Sequence, residues 1–208
     1  MPPIRNQGQL GSCTAFAWTG ALQHLAMKEK LTSALIEPSE LAFYWQERNL
    51  LGSIAEDSGA SLSDGAKVSM QIGWLAESTW PYDIGRFTAT PPSSPVLDTD
   101  LVCLSVSQSA IDLKTALLEG YGVPFGISVY QSFEQATNGH IPIPDHSRET
   151  LLGGHAIVLV GYDDANSVFM FRNSWGESWG DHGYGYIPYG YVLDSELASD
   201  FWTPRKVG

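Results

Sequence analysis

The sequence predicts an α+β fold, with helices gathered in its first half and antiparallel strands in its second. Three observations predict it. Up to residue 73, apolar residues recur at helical spacing in three separate runs. Beyond residue 100, runs of β-branched and aromatic residues read as strands, two of them joined by the turn-forming Asp163-Asp164-Ala165-Asn166. The 208 residues are enough for one sizeable domain, or a two-lobed one, with a true core.

The first element is Gln7-Gly8-Gln9-Leu10-Gly11-Ser12-Cys13-Thr14-Ala15-Phe16-Ala17-Trp18, a glycine-hinged loop running into a helix. Ser12 stands where an N-cap is needed. Trp18, Ala21, Leu22 and Leu25 put one apolar face toward a core. Cys13 then occupies the first turn, where unpaired N–H groups and the helix dipole favour an anion. A thiol there is easier to ionise, and the thiolate is the nucleophile. Taken alone, the same cysteine also reads as a half-buried structural residue.

Glu37-Pro38-Ser39-Glu40 starts a second helix, continued by Leu41, Tyr44, Trp45 and Arg48. After a polar loop over residues 49–59, Leu62, Ala66, Met70 and Gly73 mark a third. Residues 87–99 are rich in Pro, Ser and Thr and connect the two halves. Residues 101–106 alternate like a strand and hold Cys103 as an inert core residue. Ser107 or Ser109 caps a helix with Ala110, Leu113, Leu117 and Leu118 on one face, stopped by Gly120. Residues 123–130 form the next strand. Residues 131–150 are a polar insertion whose His140, Asp145 and His146 match no metal-ligand spacing and read as surface residues, so no metal site is expected.

The strand from Gly153 and the strand from Ser167 form a hairpin. With an unbulged turn centred on Asp164, His155 and Asn173 lie directly opposite, side chains on one face. An amide accepting one imidazole N–H fixes the tautomer and aims the other nitrogen outward. Nucleophile, base and orienting group make the generalised triad. His182, in a Gly-Asp-His-Gly loop, is the rival base and is set aside.

Gln7 and Cys13, with Gly11-Ser12 between them, resemble the active-site segment of the papain family of cysteine peptidases. That family's local signature is C-G-[SA]-C-[WY]. Here Leu10-Gly11-Ser12-Cys13-Thr14 replaces the first Cys and the aromatic. Gly154-His155-Ala156 and Asn173-Ser174-Trp175-Gly176, continued by an aromatic-glycine tail to Tyr186, resemble the family's other two active-site segments. His155 follows Cys13 by 142 positions, within the roughly 130–150 quoted for the family. Asn173 follows by 160, and the 131–150 insertion absorbs the excess.

The resemblance implies a papain-like two-lobed fold. Residues 1–95 or so would form a mainly helical lobe carrying Cys13. Residues 96–208 or so would form a β-barrel-like lobe carrying His155 and Asn173, with the cleft between them. It implies a cysteine-type peptidase acting through a Cys13 thioester. His155 serves as acid and base in a thiolate–imidazolium pair, Asn173 orients it, Gln7 donates to the oxyanion, and Trp175 shields the Asn173–His155 bond. No cofactor is needed. Ser58 and Gly59 stand where the family binds a peptide backbone. Gly154, Ala156 and Ser128 line the main side-chain pocket, small and uncharged, which suits a bulky apolar side chain. Trp80-Pro81-Tyr82-Asp83 and Trp179 are expected to pack. Two other readings share these residues: an acyltransferase in which an amine replaces water, and a non-catalytic binding module on the same fold.

Eleven basic and 23 acidic residues give a net charge of −12, which argues against nucleic acid and anionic membranes as partners. A peptide or protein substrate and a monomer are expected. The family often has a propeptide, and Met1-Pro2-Pro3 leads almost directly into the active-site loop, so an inhibitory propeptide or flanking segment is expected outside the chain. With Cys13 as nucleophile, Cys103 has no disulfide partner. There is no signal peptide and no apolar run of membrane-spanning length, which leaves a cytoplasmic or a secreted bacterial setting.

Overall fold

A computed structural model describes residues 1–31, 36–93 and 100–206. Residues 94–99, the end of the expected connection, lie outside the described residues. In chain order the elements are α1 (Cys13–Lys28), α2 (Glu40–Leu51), α3 (Leu62–Gln71), β1 (Leu101–Ser105), α4 (Ala110–Leu118), β2 (Val123–Tyr130), α5 (Gln131–Glu134), β3 (Leu151–Asp163), β4 (Val168–Arg172), β5 (Tyr184–Pro188), α6 (Tyr189–Val192), β6 (Ala198–Ser199) and β7 (Trp202–Lys206). Five strands form one antiparallel sheet in the order β5-β4-β3-β2-β6, open at its two edges, and β1 pairs with β7 in a separate ribbon. Among the described residues no helix is long and apolar enough to cross a membrane.

Local chemistry sets the helix ends. The Ser39 hydroxyl accepts the Ala42 N–H, and Gly52 closes α2 at φ +70°. Ser61 and Asp64 form a reciprocal capping box on α3. Ser109, not Ser107, caps α4. Ser12 holds the N-cap position of α1, but its hydroxyl does not cap; it lies 2.7 Å from the Tyr82 hydroxyl.

Two hydrophobic cores lie on the two faces of β3, and α1 is enclosed within one of them. One gathers α1, α2 and α3 with Cys103, Ala156 and Val158. The other gathers the five-stranded sheet with α4, α5 and α6. The first half of α1 is therefore buried all round, from Thr14 to Leu22, rather than along one stripe. On α4 the buried residues are Leu113 and Ala116, and Leu118 is 73% exposed, so it leaves the expected face. The 131–150 insertion is not all surface: Phe133 and Ile141 enter the sheet core. His140 stacks on Tyr186 and His146 on Tyr130, while Asp145 caps the Ser147 N–H.

The hairpin register differs from the sequence expectation. The turn occupies residues 164–167, closed by Asp163 accepting the Ala165 and Asn166 N–H groups, and a bulge at Val160 shifts the ladder. Val158 pairs with Arg172, and continuing that register would set Trp175, not Asn173, opposite His155.

Gly65 on α3 lies against the indole of Trp18, which is fully buried; a Cβ there would come within 2.1 Å of the ring. Gly65→Ala is expected to destabilise the fold by about 1–3 kcal/mol through overpacking, measured as a lower urea midpoint at unchanged m-value.

Candidate active site

Three segments meet at the site. Cys13 is the first residue of α1, His155 lies on β3 paired with Ile127 of β2, and Asn173 follows the end of β4. The N-terminal segment runs antiparallel beside the third: the Gln7 N–H donates to the Ser174 carbonyl at 2.9 Å, and Asn6 bridges Trp175. Cys13, Gln7, Ser58, Gly59, Ser128, Gly154, His155, Ala156 and Trp175 all line one open cleft of about 980 Å³, with Asn173 buried behind it.

His155 Nε2 lies 2.8 Å from Asn173 Oδ1. The Ser174 N–H also donates to that oxygen at 2.8 Å, which marks it as the acceptor and His155 Nε2 as the donor. The lone pair of the imidazole then lies on Nδ1. The contact spans the diagonal of the ladder, not the direct pair; diagonal neighbours remain within reach of long side chains. The direct position is taken by Trp175, whose ring stacks on that of His155 at 4.7 Å. Trp179 packs edge-on against Trp175 and over Phe133. His182 is exposed in its loop.

Gln7 is held at both ends of its amide. The Ser174 hydroxyl donates to Oε1 at 2.6 Å, and Nε2 donates to the Leu10 carbonyl at 2.9 Å. One Nε2 hydrogen remains for a further acceptor. The Tyr82 hydroxyl donates to the Gln7 carbonyl at 2.8 Å, a polar contact beyond the packing role expected of it. Ser174 and Tyr82 both fall inside quoted motifs, but only the folded chain gives them this task.

Electrostatics depart from the expected lowered thiol. Burial pushes the Cys13 thiol up to about 11, against the pull of the Ala156 N–H, with nearby Glu47 adding to the rise and the Thr14 and Cys13 N–H groups opposing it. The anion-favouring helix start is present, but desolvation outweighs it. Burial likewise drives His155 down to about 4, against its bond to Asn173. Both shifts favour the neutral forms, thiol and imidazole. Cys103, buried against α3, is pushed up to about 12 by the same cause.

Gly59 takes φ +69°, a conformation suited to glycine. Its N–H already donates to the Tyr44 hydroxyl at 2.9 Å, and its carbonyl accepts the Ser58 hydroxyl at 3.2 Å, so both backbone groups are engaged within the chain. Around Ser128, Gly154 and Ala156 the cleft is less apolar than the sequence suggests. Asp64, Glu134, Glu196 and Asp200 border it, and among the described residues no Lys or Arg lines it.

A family profile described as papain family cysteine protease matches residues 1–204. An uncharacterized peptidase C1-like protein of Acanthamoeba polyphaga mimivirus is 37% identical over 97% of the chain and 69% of its own length. Xylellain, a cysteine protease from Xylella fastidiosa, superimposes with a TM-score of 0.90 at 34% identity, covering 100% of this chain and 85% of its own. A probable cysteine protease of Arabidopsis thaliana is 29% identical over 88% of the chain, which spans 53% of that relative's length.

The folded state refuses His155 a proton that the unfolded chain accepts between about pH 6.5 and 4. Its contribution to stability is therefore lost as pH falls through that window, by about 3 kcal/mol in all. Glu40, raised from 4.5 to about 7 by burial, acts in the opposite sense over a largely overlapping range. The comparison is accordingly between wild type and His155→Gln, unfolded in urea at pH 7 and pH 4.5. The variant is expected to lose less stability on acidification.

Proposed function

The chain belongs to the papain family of cysteine proteases, and on that premise we propose that it hydrolyses peptide bonds through a thioester on Cys13. The observation that carries the reading is the 2.8 Å bond from His155 to Asn173 at the cleft that also bears Cys13. As Sγ attacks the carbonyl carbon, His155 Nδ1 takes the thiol proton. Because burial disfavours either charge alone, the ion pair arises by transfer inside the pair. The oxyanion is held by the Cys13 N–H and the second Nε2 hydrogen of Gln7. The tetrahedral species collapses, His155 protonates the departing amine, and the acyl group stays on sulfur. His155 then takes a proton from water, whose oxygen attacks the thioester and releases the acid and the thiol. Trp175, stacked on the imidazole, screens the His155–Asn173 bond from water. The helical part carrying Cys13 and the strand-rich part carrying His155 and Asn173 work as one unit.

Cys13→Ala is expected to abolish peptide hydrolysis and the Cys13 adduct of iodoacetamide. His155→Ala should slow that alkylation at neutral pH. Asn173→Ala should lower kcat roughly 10- to 100-fold through a misaimed imidazole. Cleavage that persists in Cys13→Ala would sink the reading. Adding a nucleophilic amine to the assay separates hydrolysis from acyl transfer by product mass.

The cleft's unopposed carboxylates favour peptides that are neutral or basic near the scissile bond. In a peptide library at low salt, sequences with Lys or Arg are expected to outrun those with Asp or Glu, with the gap narrowing in high salt and in Glu196→Gln. A preference for acidic peptides would refute this specificity and leave the hydrolase reading intact.

A further inference from the structure

The loop that carries Gln7 and Cys13 has no covalent tie, since both cysteines of the chain are free thiols. A carboxylate ties it instead. The Gly11 N–H donates to both oxygens of Asp57, at 3.1 and 3.0 Å. Asp57 also accepts from the Tyr44 hydroxyl at 2.5 Å, and that hydroxyl accepts the Gly59 N–H. Four residues along α2 from Tyr44, Arg48 donates to the Ile54 and Glu56 carbonyls at 2.9 and 3.0 Å. One helix thus fixes the segment that presents Asp57. The approach suits glycine at position 11, where a Cβ would come to 3.0 Å from Asp57 Oδ1 and press on the carboxylate.

The other side of the same peptide unit faces the oxyanion donor. The Leu10 carbonyl accepts Gln7 Nε2 at 2.9 Å and the Ser12 N–H at 2.8 Å. In a planar trans peptide the C=O and N–H point in opposite directions, so holding one aims the other. A carboxylate on the N–H also polarises the unit and strengthens its carbonyl as an acceptor. With Ser174 fixing Oε1, the plane of the Gln7 amide is set, and so is the direction of its second Nε2 hydrogen. We propose that Asp57 is a positioning residue for the Gln7 oxyanion donor, acting through the Leu10–Gly11 peptide. This rests on the reading of Gln7 given above.

The test is a double-mutant cycle on kcat with Asp57→Ala and Gln7→Ala, alongside alkylation of Cys13 by iodoacetamide, a reaction that forms no oxyanion. Asp57→Ala is expected to lower kcat roughly 10- to 100-fold with KM little changed. In the Gln7→Ala background the same change should cost almost nothing, because the donor it positions is gone. Alkylation should keep its wild-type rate. Tyr44→Phe, which keeps the Gly11–Asp57 bonds, should show a smaller loss in the same direction. Additive losses, wild-type turnover in Asp57→Ala, or turnover and alkylation falling together would each overturn the proposal. A wild-type chain that cleaves no peptide would count against hydrolysis instead. The same cycle is then read on the affinity of acetyl-Leu-Leu-argininal, whose carbonyl takes up the thiol in a hemithioacetal at the oxyanion position. Equal affinity in wild type and Asp57→Ala would overturn the positioning role there too.

Discussion

Everything at the cleft depends on how closely α1 lies against β3. Ala17 and Ala21 share a core with Val158 and leave little room between helix and strand. Gly20 admits the Arg172 guanidinium, whose Nη1 would sit 2.5 Å from a Cβ at that position. Cys13 is the first residue of α1, and the Ala156 N–H of β3 reaches its sulfur. An error in this packing would become an error in the sulfur–imidazole distance, and close-packed interiors leave no slack to absorb it. Small residues on the inner face of α1 are thus the condition for chemistry at its end.

The same closeness decides the charges. A helix start favours an anion, yet protein surrounds the thiol on the sides away from the cleft, and desolvation dominates. Glu47 lies beneath the site, fully buried, accepting the Thr14 hydroxyl at 2.8 Å. Burial holds its carboxyl toward the protonated form, which limits its repulsion of a nascent thiolate. Burial thus favours the neutral thiol and the neutral imidazole in the folded chain.

A half-buried ionic strap brings the N-terminal segment into place. Arg5 bonds Glu40 at 2.6 Å and Glu77 at 3.0 Å, and donates to the Pro38 carbonyl. Arg172, from β4, donates to the Pro3 carbonyl at 2.5 Å. From Arg5 onward, residues 5–7 pair with residues 174–176, which carries Gln7 to the segment that holds Asn173. Removing Arg5 would leave the buried Glu40 carboxyl without its partner, so the strap ties the helical and strand-rich parts at the point where the cleft needs both.

The sequence by itself determined what neighbouring residues decide. The helix start at Glu37-Pro38-Ser39-Glu40, a cap at Ser107 or Ser109, the start of α1 at Cys13 and the hairpin's two strands follow from periodicity and turn chemistry acting over a few residues. The Gln, Cys, His and Asn types were legible as a set because each stands in a distinctive local motif. Tertiary structure decided the rest. The turn formed at residues 164–167 rather than around Asp164, so that even with the bulge at Val160 the register carries His155 past the direct partner that spacing assigned and leaves Asn173 on the diagonal, where the side chains still meet. Phe133 turned inward from a segment that reads as polar. Asp57 meets Gly11 across 46 positions, with nothing local to announce it. The sign of the thiol's shift could not be read from its place at a helix start. It depends on desolvation, a sum over atoms brought in from distant parts of the chain, and only the fold performs that sum.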